Sequence, residues 1–412
     1  MPYAAIRRRT VATLKDFYDL MAATREVRAV AVAALSRGEA VLDGAAGSLR
    51  AALESLRGIP VSGGGPALLT PGGDAVPLDL GYEIGELEKD LVYLERGEAA
   101  LLDQMRGLHQ GFDHGVDAVR GLLHGLELRA FITDRDGTTN NYCGRYRSSI
   151  QSIYNAVFLS RFARARTVFP VFLTSAPLLD GGIADVSVNP PGAFIYAASK
   201  GREYLGLDGV RGHYPIDAAK QAALDALNDR VRALVAEPGH QTFALIGSGV
   251  QFKFGQTTVA RQDIAGSVAP EASQAFLDRV RALVRGLDPE EATFRIEDTG
   301  LDIEVILTVA SGAGGLKDFD KAEGVRFLAG ALDMDLAHGP HLVCGDTGSD
   351  VPMLEAAMAR CPDTRAVFVT RKAELAERVR ATCPHAAIVP EPDMLVAGLG
   401  LAQGPDRRAR GA

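Results

Sequence analysis

Large apolar residues recur every seven positions between Thr10 and Arg57, at Leu14, Met21, Leu35, Leu42, Leu49 and Leu56, with Arg28 interrupting the register. A second register runs from Tyr82 to Leu126 through Ile84, Leu91, Met105, Phe112 and Val119, broken at Glu98 and accompanied by Leu87, Leu94, Leu101, Leu108 and Leu122. Apolar residues at this spacing line one face of a helix, so two long amphipathic helices are expected. Residues 59–81 between them are rich in Gly and Pro, which is loop chemistry. The unit reads as a helical hairpin over residues 1–126. It packs on itself or on the next domain, or serves as a coiled-coil arm for a homodimer.

After Leu126 the pattern changes to short β-branched and apolar runs alternating with helical stretches, the signature of an α/β fold. Candidate strands are Leu128 to Thr133, Val168 to Thr174, His341 to Gly345, Ala366 to Thr370 and Ala386 to Val389. The segment between the second and third of these carries its own strands (Phe243 to Gly247, Gln251 to Phe254, Thr257 to Arg261, Ile303 to Thr308) and helices near 217–236 and 271–286. A structureless loop of that size is rare, so residues 178–315 are expected to form an inserted α/β cap domain, leaving 127–177 and 316–412 as a Rossmann-like core with a parallel sheet. Pro170 inside a predicted strand is tolerable only near its start or a bulge. Hinges for cap closure are expected near Ala176-Pro177 and between Ser311 and Gly315.

Composition narrows the function class. Of 412 residues, 47% are hydrophobic and 23% charged, an ordinary globular balance. The formal net charge of −8 disfavours broad binding to nucleic acid, which needs clustered Lys and Arg. Cys143, Cys344, Cys361 and Cys383 lack metal-ligand spacing and suit a reducing compartment. No apolar stretch follows the basic residues near the start, and no run of ~18 uninterrupted apolar residues occurs. A cytoplasmic protein that does not associate with membranes is expected.

The candidate chemistry lies at strand ends. In Phe131-Ile132-Thr133-Asp134-Arg135-Asp136-Gly137-Thr138 an apolar strand runs into two carboxylates two positions apart, which lie on one face of a strand. Ligands of open α/β sheets bind at such carboxyl ends. Gly137 permits a sharp turn, and Thr138 adds a hydroxyl. Thr174 and Ser175 end the next core strand with hydroxyls. Lys321 opens a helical run and offers an ammonium to phosphate oxygens, with Lys317 four residues earlier as its competitor. Cys344-Gly345-Asp346-Thr347-Gly348-Ser349-Asp350 leaves a strand with two more acids and enters a helix, whose N-cap Asp350 also suits.

These motifs, in this order, resemble those of the haloacid dehalogenase superfamily of phosphatases: Asp-x-Asp-Gly-Thr, a strand-terminal Thr or Ser, a Lys, and Gly-Asp-x-x-x-Asp. The position of the insertion is similar to the subclass that contains sugar-phosphate phosphatases. The resemblance implies Asp134 as nucleophile, Asp136 as general acid and base, Thr174, Ser175 and Lys321 as phosphate ligands, and Mg²⁺ held by Asp134, Asp136, Asp346 and Asp350, with Asp136 contributing its carbonyl and Asp350 orienting Lys321 or a water. Like charges 4 Å apart repel by ~4 kcal/mol at an effective dielectric of 20, so a cation is required if an anionic substrate is to enter this acidic cluster. Within the cap, Gly247-Ser248-Gly249-Val250-Gln251-Phe252-Lys253 followed by Val259-Ala260-Arg261 resembles the trehalose-6-phosphate phosphatase pattern Gly-x-x-x-Glu-x-Lys then His-x-Arg, with Gln251 and Val259 as departures. Gln251, Lys253, Arg261 and Glu304 are the implied substrate ligands. The expected function is Mg²⁺-dependent hydrolysis of a small phosphorylated substrate of the sugar-phosphate type through an aspartyl phosphate. The alternatives are phosphatase or phosphotransfer activity on a non-sugar metabolite, and a non-catalytic assembly or regulatory role.

Overall fold

The computed structural model describes residues 3–62, 65–70, 72–310 and 316–402. Each predicted long helix is two. Helices α1 (Leu14–Ser36) and α2 (Ala45–Arg57) precede α3 (Gly81–Leu108) and α4 (Phe112–Leu122), with a small antiparallel sheet of β1 (Val61–Ser62), β2 (Gly65–Leu69) and β3 (Ala75–Pro77) in the Gly/Pro-rich connection. The breaks between them fall where glycine adopts the left-handed conformation, at Gly38 (φ 71°) and Gly111 (φ 73°), and α3 is itself kinked at Gly97 (φ 80°). Leu14, Met21, Leu49 and Leu56 of the first register are buried within the chain. Arg28, the interruption in that register, is fully buried and ion-paired through Nε to Asp90 of α3 at 2.5 Å.

The chain continues through β4 (Leu128–Thr133), α5 (Ile153–Arg166), β5 (Thr167–Leu173), a single-turn α6 (Ile183–Val186), β6 (Ile195–Ala198), β7 (Glu203–Leu205) and β8 (Arg211–His213). It then forms the cap, made of α7 (Ala218–Ala236), β9 (Val250–Lys253), β10 (Gln256–Ala260), α8 (Pro270–Leu287), β11 (Phe294–Asp298) and β12 (Asp302–Leu307). The pair β13 (Val309–Ala310) and β14 (Leu316–Lys317) leads back to α9 (Lys321–Ala331), β15 (His341–Gly345), α10 (Val351–Met358), β16 (Arg365–Val369), α11 (Ala373–Thr382), β17 (Ala386–Val389) and α12 (Pro392–Leu401). The core sheet has eight strands in the order β17-β16-β15-β4-β5-β6-β7-β8. It is parallel from β17 to β6 and antiparallel at β7 and β8.

Three sequence expectations are corrected here. Strands β6, β7 and β8 extend the core sheet, so the cap does not begin at residue 178. They are three or four residues long, too short for a periodic signal. For the same reason the chain enters the cap after β8, and Ala176-Pro177 lies within the core; residues 311–315, the other expected hinge, lie outside the described residues. The run Phe243 to Gly247 is not a strand but a 3₁₀ turn over Gln241–Ala244, where Phe243 stacks on Phe276 of α8 with ring centroids 3.8 Å apart. Pro170 sits in β5 just before Val171, where pairing with β6 begins, so its missing N–H removes no bond from that ladder.

Strand β4 is buried almost throughout, as expected for a parallel strand covered on both faces. Phe131 and Phe172 point into the apolar cluster shared with α5, α12 and the N-terminal bundle, while Ala130, Ile132, Val171 and Val343 face the cluster with α9 and α10. The chain leaves β4 toward β5 on one side and receives β15 on the other, making β4 the point where strand order reverses. Thr133 pairs with both Phe172 and Cys344, so the carboxyl ends of β4, β5 and β15 are level. Among the described residues no helix is long and apolar enough to cross a membrane, and the four cysteines are free.

Candidate active site

Every acid in the candidate cluster is fixed by the strand or helix it leaves. The amide of Asp134 donates to the carbonyl of Cys344 (3.0 Å), extending the β4–β15 ladder one residue past Thr133. The turn that follows closes through Gly137 N to Asn140 O at 2.8 Å. Gly137 is at φ 88°, and a Cβ there would stand 2.3 Å from Asp346 Oδ2. The position is therefore constrained twice, by backbone and by neighbour. Gly137→Ala is expected to cost about 1–3 kcal/mol of stability from backbone strain and to displace Asp346. Thermal unfolding and divalent-cation affinity, compared with wild type, check this.

Lys321 begins α9, whose N-cap Asp320 accepts from Glu323 N at 2.9 Å. Its ammonium is buried and donates to Asp134 Oδ1 and Asp350 Oδ1, both at 2.6 Å. The second oxygen of Asp350 accepts from Asp346 N (3.1 Å), Thr347 N (2.9 Å) and Thr347 Oγ1 (2.9 Å). The Asp350 side chain thus bonds backward to the loop and makes no side-chain cap for α10. Its geometry is that of an orienting group for Lys321. Thr138 Oγ1 lies 3.1 Å from Asp346 Oδ1 and 3.3 Å from Asp134 Oδ2, bridging the remaining acids.

Carboxylate oxygens of Asp134, Asp346 and Asp350 all lie within 4.8 Å of one another. Burial pushes the Asp134 carboxyl up to about 6 although Lys321 pulls it down. Burial, with Asp134 and Asp350 adding to it, pushes Asp346 up to about 8. Burial also opposes ionisation of Asp350, but Lys321 and the two backbone amides outweigh it and hold that carboxyl below its ordinary value. Hard carboxylate oxygens crowded in this way fit a divalent cation such as Mg²⁺. The carboxylate of Asp136 is not one of the three. It is held at another wall by the buried guanidinium of Arg135 and by Ser149 Oγ at 3.3 Å, so its expected place among the metal ligands rests on its carbonyl.

A cleft of about 260 Å³ brings Asp134, Asp136, Thr174, Ser175, Lys321, Asp346 and Asp350 of the core together with Gln251, Lys253 and Glu304 of the cap. Thr174 Oγ1 accepts from Ala176 N at 3.2 Å, so the hydroxyl shapes the turn while facing the cleft. Gln251 pairs with Thr258 and Thr258 with Glu304, making one row across β9, β10 and β12. Lys253 is buried rather than solvated; burial lowers its ammonium to about 8, opposed by Glu304.

Arg261 is a correction: it is absent from this cleft, ion-pairs with Asp298 at 2.6 Å and donates to Ser273 Oγ of α8 at 3.0 Å. It lies three residues beyond the cleft-facing Thr258, and so falls with Val259 on the side turned to the cap helices. The side chain of Lys317 lies outside the described residues. Sequence reasoning passed over Asp302, Ser248, Tyr142 and Tyr146, which also line the cleft. Asp302 was within reach, since it alternates with Glu304 along β12; Ser248 and Tyr142 lie on loops and Tyr146 in a single 3₁₀ turn, all too short for periodicity.

A mainly parallel sheet with an acidic cluster at its reversal point, and a cap inserted ahead of the lysine-bearing helix, is the architecture of the haloacid dehalogenase superfamily. Within it, residues 131–395 match the family described as trehalose-6-phosphate phosphatase, C-terminal, and residues 13–108 match the trehalose-6-phosphate phosphatase N-terminal helical bundle domain. The chain belongs to the trehalose-6-phosphate phosphatase family. It is 31% identical to alpha,alpha-trehalose-phosphate synthase (UDP-forming) 2 of Caenorhabditis elegans, covering 97% of this chain and 34% of that protein. It is 35% identical to the trehalose-phosphatase of Brugia malayi, over 61% of this chain and 51% of the relative. The chain thus spans about a third of the length of the synthase relative and about half that of the phosphatase. A solved structure, the C. albicans trehalose-6-phosphate phosphatase C-terminal domain, is 14% identical with a TM-score of 0.45, covering 70% of this chain and 96% of that one.

Proposed function

We propose that the chain is a Mg²⁺-dependent phosphatase that hydrolyses a sugar phosphate of the trehalose 6-phosphate type. The observation that carries this reading is the placement of the Asp134 carboxylate, 2.6 Å from the buried Lys321 ammonium and opening onto a cleft roofed by polar cap side chains. A carboxylate oxygen of Asp134 attacks phosphorus, forming an aspartyl phosphate while the bond from phosphorus to the sugar oxygen breaks. Asp136 gives its proton to that departing oxygen. It then takes a proton from the water that attacks phosphorus, and the bond to Asp134 breaks to release inorganic phosphate. Thr174, Ser175 and Lys321 hold the phosphoryl oxygens as charge redistributes. Asp134, Asp346 and the Asp136 carbonyl would hold Mg²⁺, which when bound offsets the negative charge shared by substrate and acids.

The row of Gln251, Thr258 and Glu304, with Lys253 and Asp302 beside it, supports a sugar over an apolar metabolite, because each offers donors or acceptors to hydroxyls. The test is phosphate release over a panel of phosphorylated sugars and sugar alcohols beside phosphorylated non-sugar metabolites. Preference for trehalose 6-phosphate is expected. Equal turnover of the non-sugar members would remove the cap from the account of selectivity.

Metal binding should also be linked to protons. The folded-state carboxyls of Asp134 and Asp346 lie above their unfolded value of 3.8. Without a cation, their contribution to stability is present at low pH and is lost as pH rises through about 6 and about 8. A bound cation favours the ionised forms, so the increase in melting temperature on adding Mg²⁺ is expected to grow as pH rises toward about 8. A Mg²⁺ shift that shrinks over this range would contradict the ligand assignment.

A further inference from the structure

We infer that helix α3 of the N-terminal bundle positions Asp136 for proton transfer, through the hydroxyl of Tyr82 and the carboxylate of Glu83; the inference rests on the reading of Asp136 as acid and base. One feature of the site is left unexplained by the core alone. The segment 140–153, between the Asp136 turn and α5, contains only a short 3₁₀ turn, yet it supplies the groups that hold Asp136. Few of its backbone groups pair within a helix or sheet of the core. Beside its bonds to the core, among them Gln151 N to the carbonyl of Val186 at 2.9 Å, it is fastened by the bundle.

The fastening is polar and buried. Tyr82 OH donates to the carbonyl of Ile150 at 2.9 Å and accepts from the side-chain amide of Asn140 at 2.8 Å. Glu83 Oε1 accepts from Ser148 Oγ at 2.6 Å. Asp90 accepts from the amide of Ile153 at 2.6 Å, and its partner Arg28 donates to the same Ile150 carbonyl at 3.3 Å. Directly beside Ile150, the other face of the segment reaches the site. Ser149 takes the Arg135 guanidinium on both its carbonyl and its hydroxyl, and its hydroxyl lies 3.3 Å from Asp136 Oδ1. At the opposite end, Asn140 forms the backbone bridge with Asp136 and accepts from Gly137 N.

Tyr82 therefore touches both ends of the cradle of Asp136, at Asn140 and next to Ser149, without touching Asp136 or lining the cleft. A phenol hydroxyl that donates at one end and accepts at the other fixes the separation of those ends. Glu83 secures the stretch between them at Ser148. Burial raises the Glu83 carboxyl above its ordinary value. An acid kept in such a place is costly unless its hydrogen bonds are made, which couples the bundle to the segment. Tyr82 and Glu83 are positioning residues, acting through Asn140, Ser148 and Ser149.

Leaving-group chemistry gives a test that a general loss of structure would not pass. A sugar alkoxide departs poorly without a proton, whereas p-nitrophenolate is resonance-stabilised and departs without one. Full-chain Tyr82→Phe is assayed in Mg²⁺ for kcat/KM on trehalose 6-phosphate and on p-nitrophenyl phosphate, a parameter that reports steps up to departure of the leaving group. A fall of ~10- to 100-fold on the sugar phosphate is expected, part of the ~10²–10⁴-fold that general acid catalysis supplies, with less than about threefold on the aryl phosphate. Ser148→Ala removes the 2.6 Å bond to Glu83 from the core side, leaving it only the long contact of Cys143 Sγ at 3.6 Å, and keeps the bundle sequence intact. It should show the same selectivity, and it decides the matter if Tyr82→Phe does not fold. Equal loss on both substrates, or no loss, in a protein whose wild type hydrolyses both overturns the positioning role alone. A wild type inert on both substrates overturns the phosphatase reading and this inference with it.

Discussion

Asp134→Asn is expected to lower phosphate release by on the order of 10³-fold or more while leaving the fold intact, since a carboxamide forms no acyl phosphate under these conditions. The substitution keeps the shape of the side chain and an oxygen able to accept from Lys321 Nζ, now 2.6 Å away. It removes one negative charge from a group of three carboxylates in which burial, and after it repulsion from Asp134 and Asp350, already raises Asp346. The fold should therefore be at least as stable without metal as that of the wild type, and thermal melting beside the activity assay checks both halves. Turnover close to wild type would refute the nucleophile assignment. Lost activity with a collapsed melting transition would show that the residue acts chiefly in structure.

Lys321→Met should have the largest effect on stability. The ammonium is buried between Asp134 and Asp350, and both carboxylates draw on it. A thioether of similar length leaves two buried anions without their cation, and removing one partner of such a pair typically costs about 3–5 kcal/mol. Without Lys321, the folded-state values of both acids rise above the unfolded 3.8, so the deficit is greatest at neutral pH and shrinks as acidification protonates them. Urea unfolding of wild type and variant at neutral and mildly acidic pH measures the difference. Phosphate release should fall by ~10²-fold or more, as when one preorganised donor to a charged transition state is lost. A deficit independent of pH would mean that the loss arises from packing rather than charge.

Much of the core site was legible because its residues are local in sequence to a strand end. The octapeptide from Phe131 to Thr138 carries both the buried strand and its acids, and alternation along the strand puts Asp134 and Asp136 on one side of Arg135. Arg135 itself passed unnoticed, because its partners Ser149 and Val186 are remote and belong to no pattern. The two interruptions in the helical registers were visible as interruptions only. Their meaning lies 62 and 63 residues away, where Arg28 meets Asp90 and Glu98 meets Arg161. Arg261 illustrates a failure of another kind. A motif gives the residue type and spacing, whereas the face is set by strand parity, which sends Arg261 with the buried Val259 to the helices. The short strands β6 to β8 could not be told from loop because a sheet edge is chosen by long-range pairing, which no window of a few residues contains.

The most direct test of the central claim is a continuous record of inorganic phosphate released from trehalose 6-phosphate by the purified full chain in Mg²⁺, with chelator added partway and Mg²⁺ restored afterwards. Linear release that stops on chelation and resumes with the metal is the predicted trace. Release that ignores the chelator would contradict the metal's role at the acidic cluster, and no release at any stage would contradict the assignment of this cleft to sugar-phosphate hydrolysis.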